Sequence, residues 1–315
     1  MVFGYGNQGR SQALNLRDSG FNVSVANIKD SYFDRATRDG FRPLPIKEGA
    51  GKADIALILL PDEVAPELYR EQIEPTIKNG ATLVFASGYN IFYGFIKPKK
   101  GLDVILAAPR MIGDGVRSLF LENKGFPVLC GIETDRSGSA KQTALALCRG
   151  LGAFRKGGCV LKSSFREEVL TDLMGEQALA GSMLFLTRAI FEIMVENGVS
   201  PEAALLELYL SGEYREVFER AAEHGLWEQL RYHSTTSQFG QQTRGPRLVS
   251  ESARRELLKI MDEIKSGSFA DDWEHDRSRG YPLFKKVWQQ NLSHPMLKHE
   301  QRLLKRLRRS SERRA

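Results

Sequence analysis

Two groups of residues in this chain have the types and spacing to do chemistry: three glycines near its start and two acids past its midpoint. Gly4-Tyr5-Gly6-Asn7-Gln8-Gly9 lies between a short apolar run, Met1-Val2-Phe3, and a helical pattern ending at Gly20. In a strand–turn–helix setting, glycines at this spacing close the turn, admit a pyrophosphate to the backbone amides and let helix and strand pack closely. The helix N-terminus adds N–H donors and partial positive charge. A dinucleotide is the expected ligand; a merely structural turn is the weaker alternative. Asp172 and Glu176 stand at i, i+4 in a mostly apolar helical stretch, so they share a face. Acids in such surroundings cost free energy unless paired or metal-bound. Their hard oxygens suit Mg²⁺. An ion pair with Arg166, or a solvated turn, is the alternative.

The cofactor's ribose end is read about 20 residues beyond the glycines, where a carboxylate usually takes the hydroxyls of NAD. Here the second strand ends Val25-Ala26-Asn27-Ile28-Lys29-Asp30-Ser31. Asn27 is no carboxylate. Lys29 and Ser31 offer a charge and a hydroxyl to a 2′-phosphate, and Asp30 works against one. The balance favours NADP(H), with NAD(H) as the alternative.

The elements that would position these groups follow from the apolar pattern. ADIALILLP, ATLVFAS, DVILAAP and FPVLCGI are continuous apolar runs bounded by turn residues, the mark of strands buried on both faces. Helical patterns alternate with them, at 31–40 and 138–151 for instance. This predicts an α/β Rossmann-type domain with a parallel sheet over residues 1–160. Beyond it strand signals nearly vanish, which predicts an all-helical domain over 161–308. Residues 165–197 form a long helical stretch whose near all-round apolarity predicts burial. Ser200-Pro201 and Ser250 are helix starts; the first opens a helix reaching about Gly225, and 282–308 is helical again.

Composition excludes several classes. The chain has 315 residues, 42% hydrophobic and 27% charged, which suits a folded two-domain protein. The chain opens directly on its motif with no targeting pattern, and no apolar run reaches bilayer length. Cytoplasmic location, with no membrane partner, is expected. The net charge of +6 resides in residues 301–315, which carry seven Lys/Arg and one Glu, so the remainder sums to zero. The 309–315 segment reads as a solvated basic tail with no interleaved aromatics, and no nucleic-acid partner is expected. Cys130, Cys148 and Cys159 lack metal spacing and read as buried reduced thiols.

With its glycine loop, the chain resembles the ketol-acid reductoisomerases, the acetohydroxyacid isomeroreductases of branched-chain amino acid synthesis. The matching strings are GYGNQG with SQALNLRDSG, ILLPDEV, FASGYNI, AAPR, FREEVLTDLMGEQ and RYHSTTSQFGQQTRGPR, in family order across roughly 1–300. The resemblance implies an intertwined, knotted helical domain and a homodimer whose subunits share the active site. It implies Mg²⁺-assisted alkyl migration in a 2-acetolactate-type keto acid, followed by hydride transfer from NADPH. It brings Leu60, Pro61 and Gly88 to the cofactor site, Asp172, Glu176 and Glu207 to the metals, and Ser234 to the substrate.

Departures from the family pattern cluster at that implied site. The second acid of the partner's pair falls on Ser211, a weaker and uncharged ligand that would sit beside the substrate. A histidine is replaced by Ser87, which cannot accept a proton at neutral pH without a base beside it. A lysine is replaced by Arg110, different in shape and hydration, and a second histidine by Asp114. Asp172, Glu176, Arg110 and Ser87 are therefore the expected catalytic positions. Two alternatives stay open: a reductase of another 2-keto acid or imine without the isomerisation, and a catalytically silent dinucleotide-binding dimer.

Overall fold

The computed structural model describes residues 1–312, with side chains through Leu307. Arg313–Ala315 of the expected tail lie outside the described residues. The chain divides into two compact units, Met1–Asp172 and Leu173 onward.

The first unit is built on seven strands: β1 (Val2–Phe3), β2 (Val25–Ala26), β3 (Ile55–Ile58), β4 (Thr82–Phe85), β5 (Asp103–Pro109), β6 (Pro127–Thr134) and β7 (Cys159–Lys162). They form one sheet in the order β2-β1-β3-β4-β5-β6-β7. The short β1 is held from both sides, Val2 opposite Val25 on one edge and Leu57 on the other. β4 and β5 are buried along their whole length, as continuous apolar strands require.

The helices are α1 (Asn7–Asp18), α2 (Ser31–Arg38), α3 (Ile46–Lys52), α4 (Ala65–Leu68), α5 (Tyr89–Phe92), α6 (Gly113–Leu121), α7 (Ala140–Leu151) and α8 (Phe165–Met174). Two apolar layers pack the sheet faces, one around Leu16, Phe126 and Leu151, the other around Ile73, Leu83 and Ile96. The strand order reverses around β1, and in such sheets ligands sit outside the carboxyl ends of the strands there.

The sequence predicts a parallel sheet, and one strand pairing departs from that. β6 runs antiparallel to β5, with Pro109 opposite Val128. The physical reason lies in α6. It stays at the end of the sheet where β5 finishes and packs against α1, so the chain re-enters the sheet from that same end. α7 then makes a full crossover, and β7 is parallel to β6.

The second unit is helical: after a π-helical turn at Gly175–Ala180 come α9 (Gly181–Glu196) and α10 (Pro201–Leu205). A second π turn at Leu206–Leu210 precedes α11 (Glu213–His224), α12 (Thr235–Arg244), α13 (Glu251–Ser266), α14 (Ser268–Ser278), α15 (Pro282–Leu292) and α16 (Met296–Glu312). Ser200 and Ser250 cap as expected, accepting hydrogen bonds from the amides of Ala203 and Ala253. The helix expected from Pro201 to Gly225 is broken at Gly212, whose φ of +86° no side-chain-bearing residue adopts readily.

Two expectations about apolar surface are corrected. The 165–197 stretch is only partly buried in the single chain: α8 buries Phe165, Glu168, Val169 and Leu173, but among the described residues of α9 only Phe191 is buried, while Leu184 is 72% exposed. Phe165–Glu196 also holds an 18-residue window of mean hydropathy 1.6, apolar enough by length and composition to cross a membrane. A third correction concerns thiols: Cys148 is buried, Cys130 half-buried and Cys159 exposed, because Cys159 begins the edge strand β7.

Candidate active site

The glycine loop opens on a cleft of about 480 Å³ at the carboxyl ends of β1, β3 and β4, within the range of small-molecule sites. Gly4 has φ +90°, and a Cβ on Gly9 would lie 2.1 Å from the Gly4 carbonyl oxygen. The turn therefore closes only with glycine at both positions. Gly6 differs. Nothing lies within 4 Å of where its Cβ would be, so it leaves a cradle at the N-cap of α1. No side chain caps that end and no acid occupies its first turn. Free amides facing an open cradle fit a pyrophosphate.

Gly4, Tyr5, Gly6, Asn7 and Gln8 line the cleft, as do Leu60, Pro61 and Ser87. Gly9 packs beneath the loop. Lys29 and Ser31 are exposed and are not among the lining residues, whereas Asn27, Asp30 and Tyr32 are. Asp30 caps α2, its Oδ1 accepting from the amides of Tyr32 (2.9 Å) and Phe33 (3.0 Å) and from Asn27 Nδ2 (2.8 Å). The sequence signal for this role was available, since an Asp immediately before a helix is a favoured N-cap.

A buried charge cluster adjoins this cleft. Gly88 follows Ser87, and its amide donates to Oε2 of Glu168 at 2.7 Å. A Cβ at Gly88 would lie 2.5 Å from the Phe165 carbonyl oxygen, so glycine is what admits α8 this close. Arg110, at the end of β5, donates through Nη1 to Glu168 Oε1 at 3.0 Å and through Nη2 to Asp172 Oδ1. Phe165, Glu168 and Asp172 are spaced i, i+3, i+7, one face of α8. Glu168 is only 2% exposed, Arg110 30% and Asp172 34%. Burial pushes the Glu168 carboxyl up to about 7; the charges of Asp172 and Asp62 add to this, while the Gly88 amide and Arg110 oppose it. Asn90 steadies the same loop, its Nδ2 donating to the Asp62 carbonyl and carboxylate.

Glu168 was passed over in the sequence, although it stands four residues before Asp172. Spacing gave the hint; its contact with Arg110 joins positions 58 residues apart. Ser87 Oγ accepts from the Tyr89 amide at 3.3 Å. Asp114 lies in the first turn of α6.

The remaining expected site residues belong to the second unit. Glu176 lies in the π turn Gly175–Ala180 and Glu207 in the π turn Leu206–Leu210, both exposed. Such turns recur at functional sites, and composition does not betray them. Ser211 follows the second π turn, its Oγ accepting from the Glu213 amide at 3.3 Å. Ser234 caps α12 through the Ser237 amide. Among the described residues of one chain, no three His, Cys, Asp or Glu side chains gather closely enough to hold a metal ion. The donor chemistry nevertheless suits a hard divalent ion: Asp172 and Glu176 are carboxylates. Further ligands must then come from water, substrate or another subunit.

Known proteins resemble this chain along nearly its full length. The family model described as "Acetohydroxy acid isomeroreductase, NADPH-binding domain" matches residues 1–157, and "Ketol-acid reductoisomerase, C-terminal domain" matches 165–309. The ketol-acid reductoisomerase (NADP(+)) of Pyrobaculum aerophilum is 40% identical over 94% of this chain and 90% of its own. That of Methanocaldococcus jannaschii is 41% identical over 89% of this chain and 84% of its own. The solved structure of an NADH-preferring ketol-acid reductoisomerase from an uncultured archean superposes with a TM-score of 0.91 at 33% identity, covering 96% of this chain and 93% of that one. An NAD-binding semialdehyde dehydrogenase protein from Cupriavidus necator, at 16% identity and TM-score 0.63, shares the fold. With both of its units matched in order, the chain belongs to the ketol-acid reductoisomerase family of NAD(P)-dependent oxidoreductases.

Proposed function

We propose that this chain converts 2-acetolactate-type keto acids to 2,3-dihydroxy acids by alkyl migration and hydride transfer, using NADP(H) and Mg²⁺, in the cytoplasm. One observation carries the reading: Ser87 lines the dinucleotide cleft, and the next residue's amide holds Glu168, which shares Arg110 with Asp172. The cofactor cleft and the acid expected to bind metal are thus joined by consecutive hydrogen bonds. When bound, the divalent ions would polarise the substrate oxygens and the nicotinamide would supply hydride. Asp172 and Glu176 would hold the ions from one subunit, and Glu207 and Ser211 would face them from a second copy. Gly6 and the amides of α1 bind the phosphates. Ser234 would hold the substrate carboxylate. NAD(H) is the alternative cofactor, supported by Asp30 at the cleft and by the NADH preference of the solved relative.

A homodimer is part of this proposal. The apolar residues left exposed in the second unit, among them Leu184, Trp227, Phe239 and Phe284, far exceed what a monomer leaves in water. A second copy covering them accounts for the apolar helix better than a bilayer, because the matched C-terminal domain contains it.

A second reading, reduction of a plain 2-keto acid without migration, is favoured by Ser87, whose hydroxyl accepts from the Tyr89 amide and has no basic side chain bonded to it among the described residues. Purified protein with NADPH and Mg²⁺ separates the two. Oxidation of NADPH by both 2-acetolactate and 3-hydroxy-3-methyl-2-oxobutanoate supports the full reaction. Turnover of the second alone supports the reductase, and turnover of neither defeats both.

A further inference from the structure

Arg110 does more than neutralise one acid. Its two guanidinium nitrogens are divided between Glu168 and Asp172, using the fixed span of the planar arginine fork where a lysine would offer one nitrogen on a flexible stem. The two acids differ in their need for it. Glu168 is buried, and its Oε1 takes Arg110 while its Oε2 takes the Gly88 amide. Asp172 is 34% exposed and can exchange its partner for water or a cation. The three side chains together carry one net negative charge when all are ionised.

A divalent cation at Asp172 would need the carboxylate that Arg110 holds. Two cations at contact distance from one carboxylate repel each other, most strongly where water is scarce. We infer that Arg110 is a tethered counter-ion: it holds Asp172 in the metal-free protein, yields it when a divalent cation binds, and so sets the metal affinity of the site. This rests on the reading of Asp172 as a metal ligand. When Arg110 lets go of Asp172 it stays anchored on Glu168. Arg110 is thus a positioning residue for the metal, and its effect opposes binding.

Mn²⁺ binding provides the test, read from the paramagnetic resonance of the free ion, in the full-length wild type, R110K, R110M and D172N. R110M is expected to bind Mn²⁺ at least about tenfold more tightly than wild type, and R110K to fall between them, since a lysine keeps the charge but replaces the two-nitrogen fork with one flexible nitrogen. A second readout needs no bound metal: in EDTA, R110M and R110K should unfold at lower temperature than wild type, and saturating Mn²⁺ should raise their unfolding temperatures by more than it raises that of wild type. If R110M does not fold, R110K alone carries the comparison. Unchanged or weaker Mn²⁺ affinity in the arginine variants, with D172N abolishing the site, overturns the counter-ion role and leaves the metal reading standing. Mn²⁺ binding that D172N does not alter overturns the metal reading itself, and the counter-ion role with it.

Discussion

Replacing Glu168 by glutamine should change how stability depends on pH, and the sign of the change is fixed by which force governs that carboxyl. Burial and the neighbouring acids raise it to about 7 from an ordinary 4.5. Above the folded value Glu168 is charged and almost fully buried, so its destabilising contribution is complete. As pH falls from 7 toward 4.5, the folded protein takes up a proton that the unfolded chain does not, and stability rises. Below 4.5 both states are protonated and the contribution levels off. The gap corresponds to a ceiling of about 3 kcal/mol.

Glutamine at 168 keeps an oxygen for the Gly88 amide and cannot titrate. In EDTA, denaturant unfolding of wild type and E168Q at a series of pH values gives the difference directly. Wild type should gain on the variant by up to about 3 kcal/mol as pH falls through that window. If the ion pair with Arg110 governed instead, Glu168 would be depressed and wild type would lose ground on acidification. A flat difference, or one of that opposite sign, refutes the dominance of burial.

Three further outcomes are expected. G9A should lose dinucleotide binding by at least about a hundredfold, measured by calorimetry, because the new Cβ would lie 2.1 Å from the Gly4 oxygen and displacing the loop forfeits charge-assisted hydrogen bonds to the phosphates at about 1.5–3 kcal/mol each; retained affinity would show that the loop opens without penalty. S211E should tighten Mg²⁺ binding on the order of tenfold, since ligand charge count sets affinity; an unchanged Mg²⁺ titration removes Ser211 from the metal site. L184E, which places a charge on an exposed apolar stretch of α9, should shift the protein toward monomer by sedimentation or light scattering; an unaltered assembly puts the interface elsewhere.

Much of the first unit was legible because buried parallel strands are continuous apolar runs, and ALIL, TLVF and VILAAP are such runs. Strand direction was not. Nothing in FPVLCGI says that β6 runs against β5; that follows from where α6 packs, a tertiary fact. The glycine loop was readable because its chemistry is local to six residues. The carboxylate cluster was only half readable. Asp172 carries a motif, but Glu168 acquires its role from the Gly88 amide and the Arg110 fork, and no local pattern encodes either. The π turns at Glu176 and Glu207 were invisible for a related reason, since a widened turn leaves the i, i+4 spacing of the sequence unchanged. Apolarity in 165–197 predicts burial, yet within one chain only Phe191 of α9 is buried. Whether the cover comes from the same chain is not written in the residues.

The departures at 87 and 110 gain meaning from their connection. Ser87 precedes the amide that binds Glu168, and Arg110 binds the other oxygen of that carboxylate. One buried acid therefore feels both positions. A histidine at 87 could carry positive charge beside the cleft, and serine cannot. With that charge gone, an arginine that reaches two acids at once supplies what a more compact cation would not. Ser211 removes a negative charge from the expected metal ligands, and an arginine pressed against Asp172 offsets another. The serine at 211 and the arginine contact at Asp172 both lower the demand for bound divalent charge, so on the proposed function they shift the site toward weaker metal binding. On the proposed function, alkyl migration depends on that charge more heavily than hydride transfer does, so it is the step expected to slow first when bound divalent charge is lost.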